Sequence, residues 1–340
     1  MAERSNIEWC DATFNPWIGC TKVSPACDHC YAERDFDLRR HVVQWGAGQA
    51  RKRTGDDNWK KPGKWNAKPF YECEVCGLRT DNPMLAQCKG PHRSQHMWKP
   101  ARRRVFCASL ADVFDNEVPA AWRQDLFALI EATPNLDWLL LTKRIGNAEK
   151  MIHDARLSLV GSTRLIIPDV LPNIWIGATI CNQAEADRDI PKLLATPAAV
   201  RFLSVEPMLG PISFEGMFAN PTRVNDGTNA LEALDWIIVG GESGPRARPM
   251  HPHWARDLRD QCAAAGVPFL FKQWGEWAPA GAWYETHPVS LPVRALGPSG
   301  WTDSGDVAAD SDYVVRIGKK AAGRLLDGRT HDGFPERSAP

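Results

Sequence analysis

The sequence predicts an α/β protein, a partial or full β/α barrel with a small metal-stapled insertion. Three observations carry this reading. Short apolar runs alternate with amphipathic helical stretches after residue 104. Three cysteines crowd into the eleven residues from Cys20 to Cys30, between the first strand and the first helix. A basic, cysteine-bearing stretch at 46–103 interrupts the alternation.

The strands are read from continuous apolar runs, as expected where both faces of a parallel sheet are covered. They fall near 12–18 and at 105–110, 138–142, 173–180, 200–205, 236–239 and 267–271. Helical spacing of apolar residues marks 119–132, 145–155, 183–194 and 254–265, and 28–45 reads as the first helix. Repeated strand–helix alternation argues a β/α architecture. A doubly wound open sheet is the other arrangement, since strand order cannot be read from the pattern. The glycine-rich stretch 240–244 lacks the GxGxxG spacing of a dinucleotide site. The barrel is assigned to 1–45 and 104–284, the insertion to 46–103, and a C-terminal extension to 285–340.

A chain of 340 residues with 44% hydrophobic residues can bury a substantial core. It contains no run of 18 apolar residues, so no membrane partner is expected. The opening MAERSNIEW is charged and lacks the apolar stretch of a secretory signal, so a cytoplasmic location is expected. Of ten cysteines, eight lie between positions 10 and 107. Clustered cysteines without an export signal point to metal rather than disulfides.

Cys20, Cys27 and Cys30 lie on a short loop, WIGCTKVSPACDHCYAE, that follows a strand and runs into a helix. Thiolates are the ligands of a [4Fe–4S] cluster. Three of them leave one iron open to a small molecule. The helix start beyond Cys27 favours the negative charge of thiolates and cluster. The competing reading is a structural zinc site, closed to a tetrahedron by Cys10 or His29.

The spacing Cys20-x6-Cys27-x2-Cys30 with the following Tyr31 resembles the cluster loop of radical S-adenosylmethionine (radical-SAM) enzymes, whose first gap is usually shorter. With VGGESGPRARPMH and FKQWGEW it is similar to the phage-associated three-Cys-motif proteins, a radical-SAM-like family with no settled substrate. The resemblance covers most of the chain outside 46–103. It implies a barrel of radical-SAM type. It also implies that SAM binds the open iron, that an electron donor reduces the cluster, and that the 5′-deoxyadenosyl radical takes hydrogen from a substrate. Tyr31 would then lie near the adenine.

Active sites of β/α barrels sit at the C-terminal strand ends. Polar residues recur there: Ser109, Lys143 and Arg144, Thr179 and Asn182, Ser204 and Glu206, Glu242, and Lys272. The resemblance makes Ser109, Thr179, Asn182 and Ser204 candidates to hold the ribose and methionine parts of SAM. Glu206 and Glu242 are candidates to accept hydrogen bonds from its ribose or amino group. Lys143, Arg144 and Lys272 are candidates to bind a substrate anion. Capping and ion pairing at strand–loop junctions compete for each of them. The family pattern has Glu where this chain has Cys181, so Cys181 reads as a small buried residue.

In the insertion, Cys73-x2-Cys76-x11-Cys88-x3-His92 has zinc-knuckle spacing, with His96 an alternative fourth ligand. The stretch has few apolar residues, so a structural zinc gives it a reason to fold. Residues 51–104 carry 14 Lys or Arg against 5 Asp or Glu, in a chain of zero formal net charge. Arg51-Lys52-Arg53, Lys60-Lys61 and Arg102-Arg103-Arg104 interleave with Trp59, Trp65 and Trp98. Such a basic and aromatic mixture suits nucleic acid, with a solvated face as the alternative. The expected function is a radical-SAM enzyme modifying or repairing a nucleic acid or nucleotide. The alternative is a non-catalytic, zinc-bearing binding protein acting with a partner protein encoded nearby.

Overall fold

A computed structural model describes residues 3–84, 86, 97–160, 171–219, 228–280, 292–297, 300–303 and 313–336. Seven parallel strands form its main sheet: β1 Ala12–Phe14, β2 Arg103–Cys107, β3 Leu136–Thr142, β4 Ile174–Thr179, β5 Val200–Val205, β6 Trp236–Gly240 and β7 Phe269–Gln273. Their order in space is their order in the chain. Every crossover therefore steps to the same side. Right-handed crossovers taken in one direction put the helices on one face and curl the sheet. The result is a parallel half-barrel, not a doubly wound sheet.

The helices that connect the strands of this sheet include α1 Tyr31–Glu33, α2 Ala120–Glu131, α3 Ile145–Val160, α4 Gln183–Ala195 and α5 Pro252–Ala265. Alternate strand residues, among them Val105, Trp138, Leu140, Ile176, Leu203 and Ile237, face the helices and bury Leu126, Phe127, Ile152, Ile190 and Leu258. The residues between them face the concave side: Phe106, Leu139, Trp175, Phe202, Trp236, Ile238 and Leu270. Each such side chain stabilises the fold by roughly 1.5–3 kcal/mol on burial. Room for Phe202 comes from Gly177 on the neighbouring strand, where a Cβ would stand 2.3 Å from the Phe202 ring.

Two predicted elements are shorter than expected. The first strand breaks at Asn15-Pro16, because proline has no N–H for the ladder. Beyond it, Trp17–Ile18 pairs antiparallel with Lys52–Arg53 instead. The helix expected over 28–45 ends early: α1 widens into a π-helical segment, Arg34–Arg39. His41 then turns left-handed at φ 49°. Asp37 Oδ2 accepts the Trp45 N–H at 2.7 Å, bringing the chain back under the cysteine loop.

The insertion is not a separate body throughout. Short helices Asp56–Trp59 and Lys61–Asn66 carry Trp59 and Trp65 onto the main core. Among the described residues of the insertion, only Tyr71–Cys73, Arg79–Thr80 and Trp98–Pro100 form a sheet of their own. After β7, the strands β8 Trp277–Pro279, β9 Val293–Gly297, β10 Gly300–Asp303 and β11 Tyr313–Arg316 form an antiparallel sheet. The chain then returns to cover the β7 edge, with Phe271 N donating to His331 O at 2.9 Å and Gly333 N to Phe269 O at 3.0 Å. Among the described residues, no helix is long and apolar enough to cross a membrane.

Candidate active site

The concave face changes character along its strands. Toward the N-terminal strand ends it is closed by Trp9, Trp175, Phe202, Trp236 and Phe334. Toward the C-terminal ends it opens into a cavity of about 870 Å³. Its walls include Cys20, Cys27, Cys30, Tyr31, Ser109, Lys143, Arg144, Thr179, Ser204, Glu206, Glu242 and Lys272. Twelve predicted site residues from one loop and six strand ends thus share a single cavity. Asn182 is not among them. It caps α4, its Oδ1 accepting the Glu185 N–H at 3.0 Å. Cys181 is fully buried, as a small packing residue would be.

The cysteine loop is built by local chemistry. Gly19 takes φ 109°, a left-handed value that favours glycine, and turns the chain into Cys20. Ser24 caps the turn Pro25–Cys27, its Oγ accepting the Ala26 N–H at 3.0 Å. Cys30 stands at the cap of α1. Ile18, Ala32 and Trp45 form a small apolar cluster beneath Cys20 and Cys30.

Two arginines pin this loop to the barrel. Arg144, just beyond β3, donates from Nη1 to Cys20 Sγ at 3.4 Å and from Nη2 to Thr21 O at 2.7 Å, and pairs with Asp112 at 3.2 Å. Burial pushes the Cys20 thiol up to about 12, with Asp112 adding to the rise and Arg144 opposing it. At the far end of the loop, Arg248 donates to Asp28 Oδ2 at 2.8 Å and to Pro25 O at 2.9 Å. Glu242 holds Arg248 through Nη2 at 2.6 Å and His29 Nδ1 at 3.0 Å. Burial would raise Glu242, but the Arg248 guanidinium and N–H, with His29, hold its carboxyl below its ordinary value. Arg144 and Glu242, expected to bind ligand, are therefore spent on the loop.

Lys272 and Glu206 are likewise committed to each other. Gln273 Nε2 bridges Glu206 Oε1 at 3.1 Å and Ser243 Oγ at 3.0 Å. Tyr31 is 49% exposed, and its hydroxyl donates to Ser109 O at 2.6 Å. Ser109 Oγ accepts from Asn15 Nδ2 at 3.0 Å. Three buried polar atoms of cavity residues have no hydrogen-bond partner in the structure: Trp9 Nε1, Thr179 Oγ1 and Gln273 Oε1. The glycine-rich phrase after β6 and the QWGEW phrase after β7 meet backbone to backbone. A Cβ on Gly241 would lie 1.9 Å from Trp274 O, and one on Gly275 would lie 2.1 Å from Glu242 O.

Sequence reasoning missed Arg248 and Asn15. Arg248 lies within the phrase VGGESGPRARPMH, but nothing local shows that it reaches residues 25–28. Asn15 is buried, and its Oδ1 accepts the Leu110 N–H at 2.7 Å. The observed strand ends at Cys107, so residues 108–110 leave the expected strand where this contact is made.

In the insertion, Cys73 and Cys76 lie on a tight turn in which Gly77 N donates to Cys73 O at 2.8 Å. Cys88, His92 and His96 lie outside the described residues. The expected basic and aromatic face is largely internal. Arg51 is buried, pairing with Asp115 at 2.8 Å and Glu117 at 2.6 Å. Arg53 lies over Trp59, with its Cζ 4.0 Å from the ring centroid. Arg103 lies over Phe70 at 4.7 Å, and Arg104 over Phe334 at 4.1 Å. Buried arginines need such partners, so the interleaving reports core construction. Lys52, Lys60, Lys64 and Lys68 remain exposed.

Among the described residues, no group of three or more His, Cys, Asp or Glu side chains is disposed to hold a single metal ion. A cluster makes a different demand, since it presents separate irons to separate thiolates. The donor set here is three cysteines on one loop, all lining one cavity. The two candidate zinc-closing ligands are engaged elsewhere. His29 bonds Glu242, and Cys10, outside the cavity wall, donates to Ser5 Oγ at 3.2 Å.

A family model described as a protein of unknown function (DUF5131) matches residues 4–335. No curated protein matches the chain, and no solved structure does.

Proposed function

We propose, for a chain that belongs to the DUF5131 family, the activity of a radical-SAM enzyme. Cys20, Cys27 and Cys30 would hold a [4Fe–4S] cluster, and SAM would share the cavity with a nucleotide or an extruded nucleotide of a nucleic acid. The observation that carries this is that Cys20, Cys27 and Cys30 line one cavity at the strand C-termini together with Thr179 and Gln273, each of which holds a buried polar atom without a hydrogen-bond partner. When bound, the cluster supplies the electron that cleaves a carbon–sulfur bond of SAM.

The chain's own residues supply placement. Arg144 and Arg248 fix the two ends of the thiol loop. Tyr31 offers a ring to stack on adenine, oriented by its bond to Ser109. Thr179, Ser204 and Gln273 line the inner wall as hydrogen-bonding groups. Lys272 and Glu206 cancel each other's charge. Lys143 lines the cavity, and among the described residues its ammonium has no ion-pair partner, which suits a substrate carboxylate or phosphate. A cavity of about 870 Å³ cannot admit a duplex, so a polynucleotide would have to present one nucleotide out of its stack. The exposed lysines of 52–68 give its backbone a surface.

Anaerobic reconstitution tests the reading. The expected result is a brown protein with cluster iron and sulfide that turns SAM into 5′-deoxyadenosine, and loses both properties in a Cys20/Cys27/Cys30 triple alanine variant. A chain that binds zinc but no iron, and leaves SAM intact, overturns it in favour of a zinc-bearing binding protein.

A further inference from the structure

Arg144 does more at Cys20 than tie down a loop. Its side chain is 9% exposed and carries a full charge at the cavity wall. Asp112 holds it at 3.2 Å, and the Asp112 carboxylate is itself fixed by Phe114 N at 2.9 Å, Thr142 Oγ1 at 2.7 Å and Lys143 N at 3.0 Å. The guanidinium therefore has little freedom to leave. Its Nη1 donates to Cys20 Sγ at 3.4 Å. Among the described residues, no side chain donates a hydrogen bond to the sulfur of Cys27 or Cys30. One sulfur of the three thus carries a fixed, cationic N–H donor.

Hydrogen bonds to ligand sulfurs and nearby charge are two of the terms that set an iron–sulfur potential. Reduction adds one electron, hence one negative charge, to the cluster. A cation donating to a ligand thiolate stabilises that added charge and raises the potential. We propose that Arg144 sets the reduction potential of the cluster through its bond to Cys20, an inference that rests on the cluster reading above. It is a positioning and tuning residue, since it touches a ligand rather than a reacting atom.

The test is a dithionite titration, followed by electron paramagnetic resonance, of the full chain and its R144K and R144M variants after anaerobic reconstitution. Dithionite is the external one-electron reductant. Losing one charge-assisted hydrogen bond is expected to shift R144M toward the oxidised cluster by about tenfold, which is about 59 mV for a one-electron couple. R144K, which keeps the charge, should fall between R144M and wild type. Iron and sulfide per chain should stay equal, which a merely structural role would not combine with a moved potential. A fully loaded R144M whose midpoint moves by less than about 18 mV, the equivalent of twofold for a one-electron couple, overturns the tuning role alone. A wild type that assembles no cluster overturns the site reading and the tuning role with it. Should R144M hold no cluster, R144Q against R144K reads the same charge, and equal midpoints overturn the proposal.

Discussion

The Lys272 ammonium lies 2.8 Å from both carboxylate oxygens of Glu206, joining the ends of β7 and β5 across β6 at the cavity wall. A pair held this squarely uses two contacts of the ammonium and, with Gln273, three of the carboxylate. The pair is partly buried, with side chains 16% and 18% exposed, and losing a hydrogen bond to a charged group in such a setting costs about 1.5–3 kcal/mol. K272M should therefore lose about that much stability in urea unfolding. The K272M/E206Q double variant should recover part of it, because the stranded carboxylate is gone. Strictly additive losses would show that the two groups are not coupled.

Glu242 makes acid stability informative. Its carboxyl titrates below its ordinary value in the folded chain, because Arg248 and His29 outweigh burial. A group depressed on folding contributes stability above its unfolded value, near 4.3, and loses it as pH falls through the lower folded value. Thermal unfolding should therefore weaken below about pH 4.3, and the slope there should be shallower in E242Q. An identical acid limb in E242Q would exclude this carboxyl as a contributor.

Trp236 links the floor of the half-barrel to the returning chain. Its ring centroid lies 4.9 Å from that of Phe334, and its Nε1 donates to Gly333 O at 2.7 Å. W236A should cost about 3–5 kcal/mol, as large-to-small core changes do. W236F keeps most of the bulk and loses the hydrogen bond, so its cost should be nearer about 1 kcal/mol. Equal losses in the two variants would assign the effect to the hydrogen bond rather than to packing.

The main sheet was legible because strands covered on both faces are continuous apolar runs, and all seven occur where such runs lie. Their sequential order was not legible, since it follows from crossover direction rather than from composition. The cysteine loop declared itself by spacing. The charged residues did not, because residue type does not say which way a side chain reaches. Arg51 finds Asp115 sixty-four residues on, and Arg248 finds Asp28 two hundred and twenty back. Read locally, one looked like a nucleic-acid contact and the other was passed over. Asn182 is a different case. Asn182-x-x-Glu185 has the spacing of a helix N-terminus, so its capping role was legible and lost to a ligand reading.

Thr179 separates a ligand site from a packed interior. Its hydroxyl oxygen is buried at the end of β4 and has no partner in the structure. An unsatisfied buried polar group costs about 1–3 kcal/mol, and replacing it by a methyl of the same shape removes that cost. T179V should therefore unfold at a higher temperature than wild type when no ligand is present. If SAM supplies the missing partner, the same substitution should weaken SAM binding by about tenfold, the equivalent of about 1.4 kcal/mol. Stability gained and affinity lost in one variant is the signature of a residue held unsatisfied for a ligand. Thermal shifts of wild type and T179V, with and without SAM, read both quantities. A T179V chain that is less stable than wild type without ligand would show that the hydroxyl already has an internal partner.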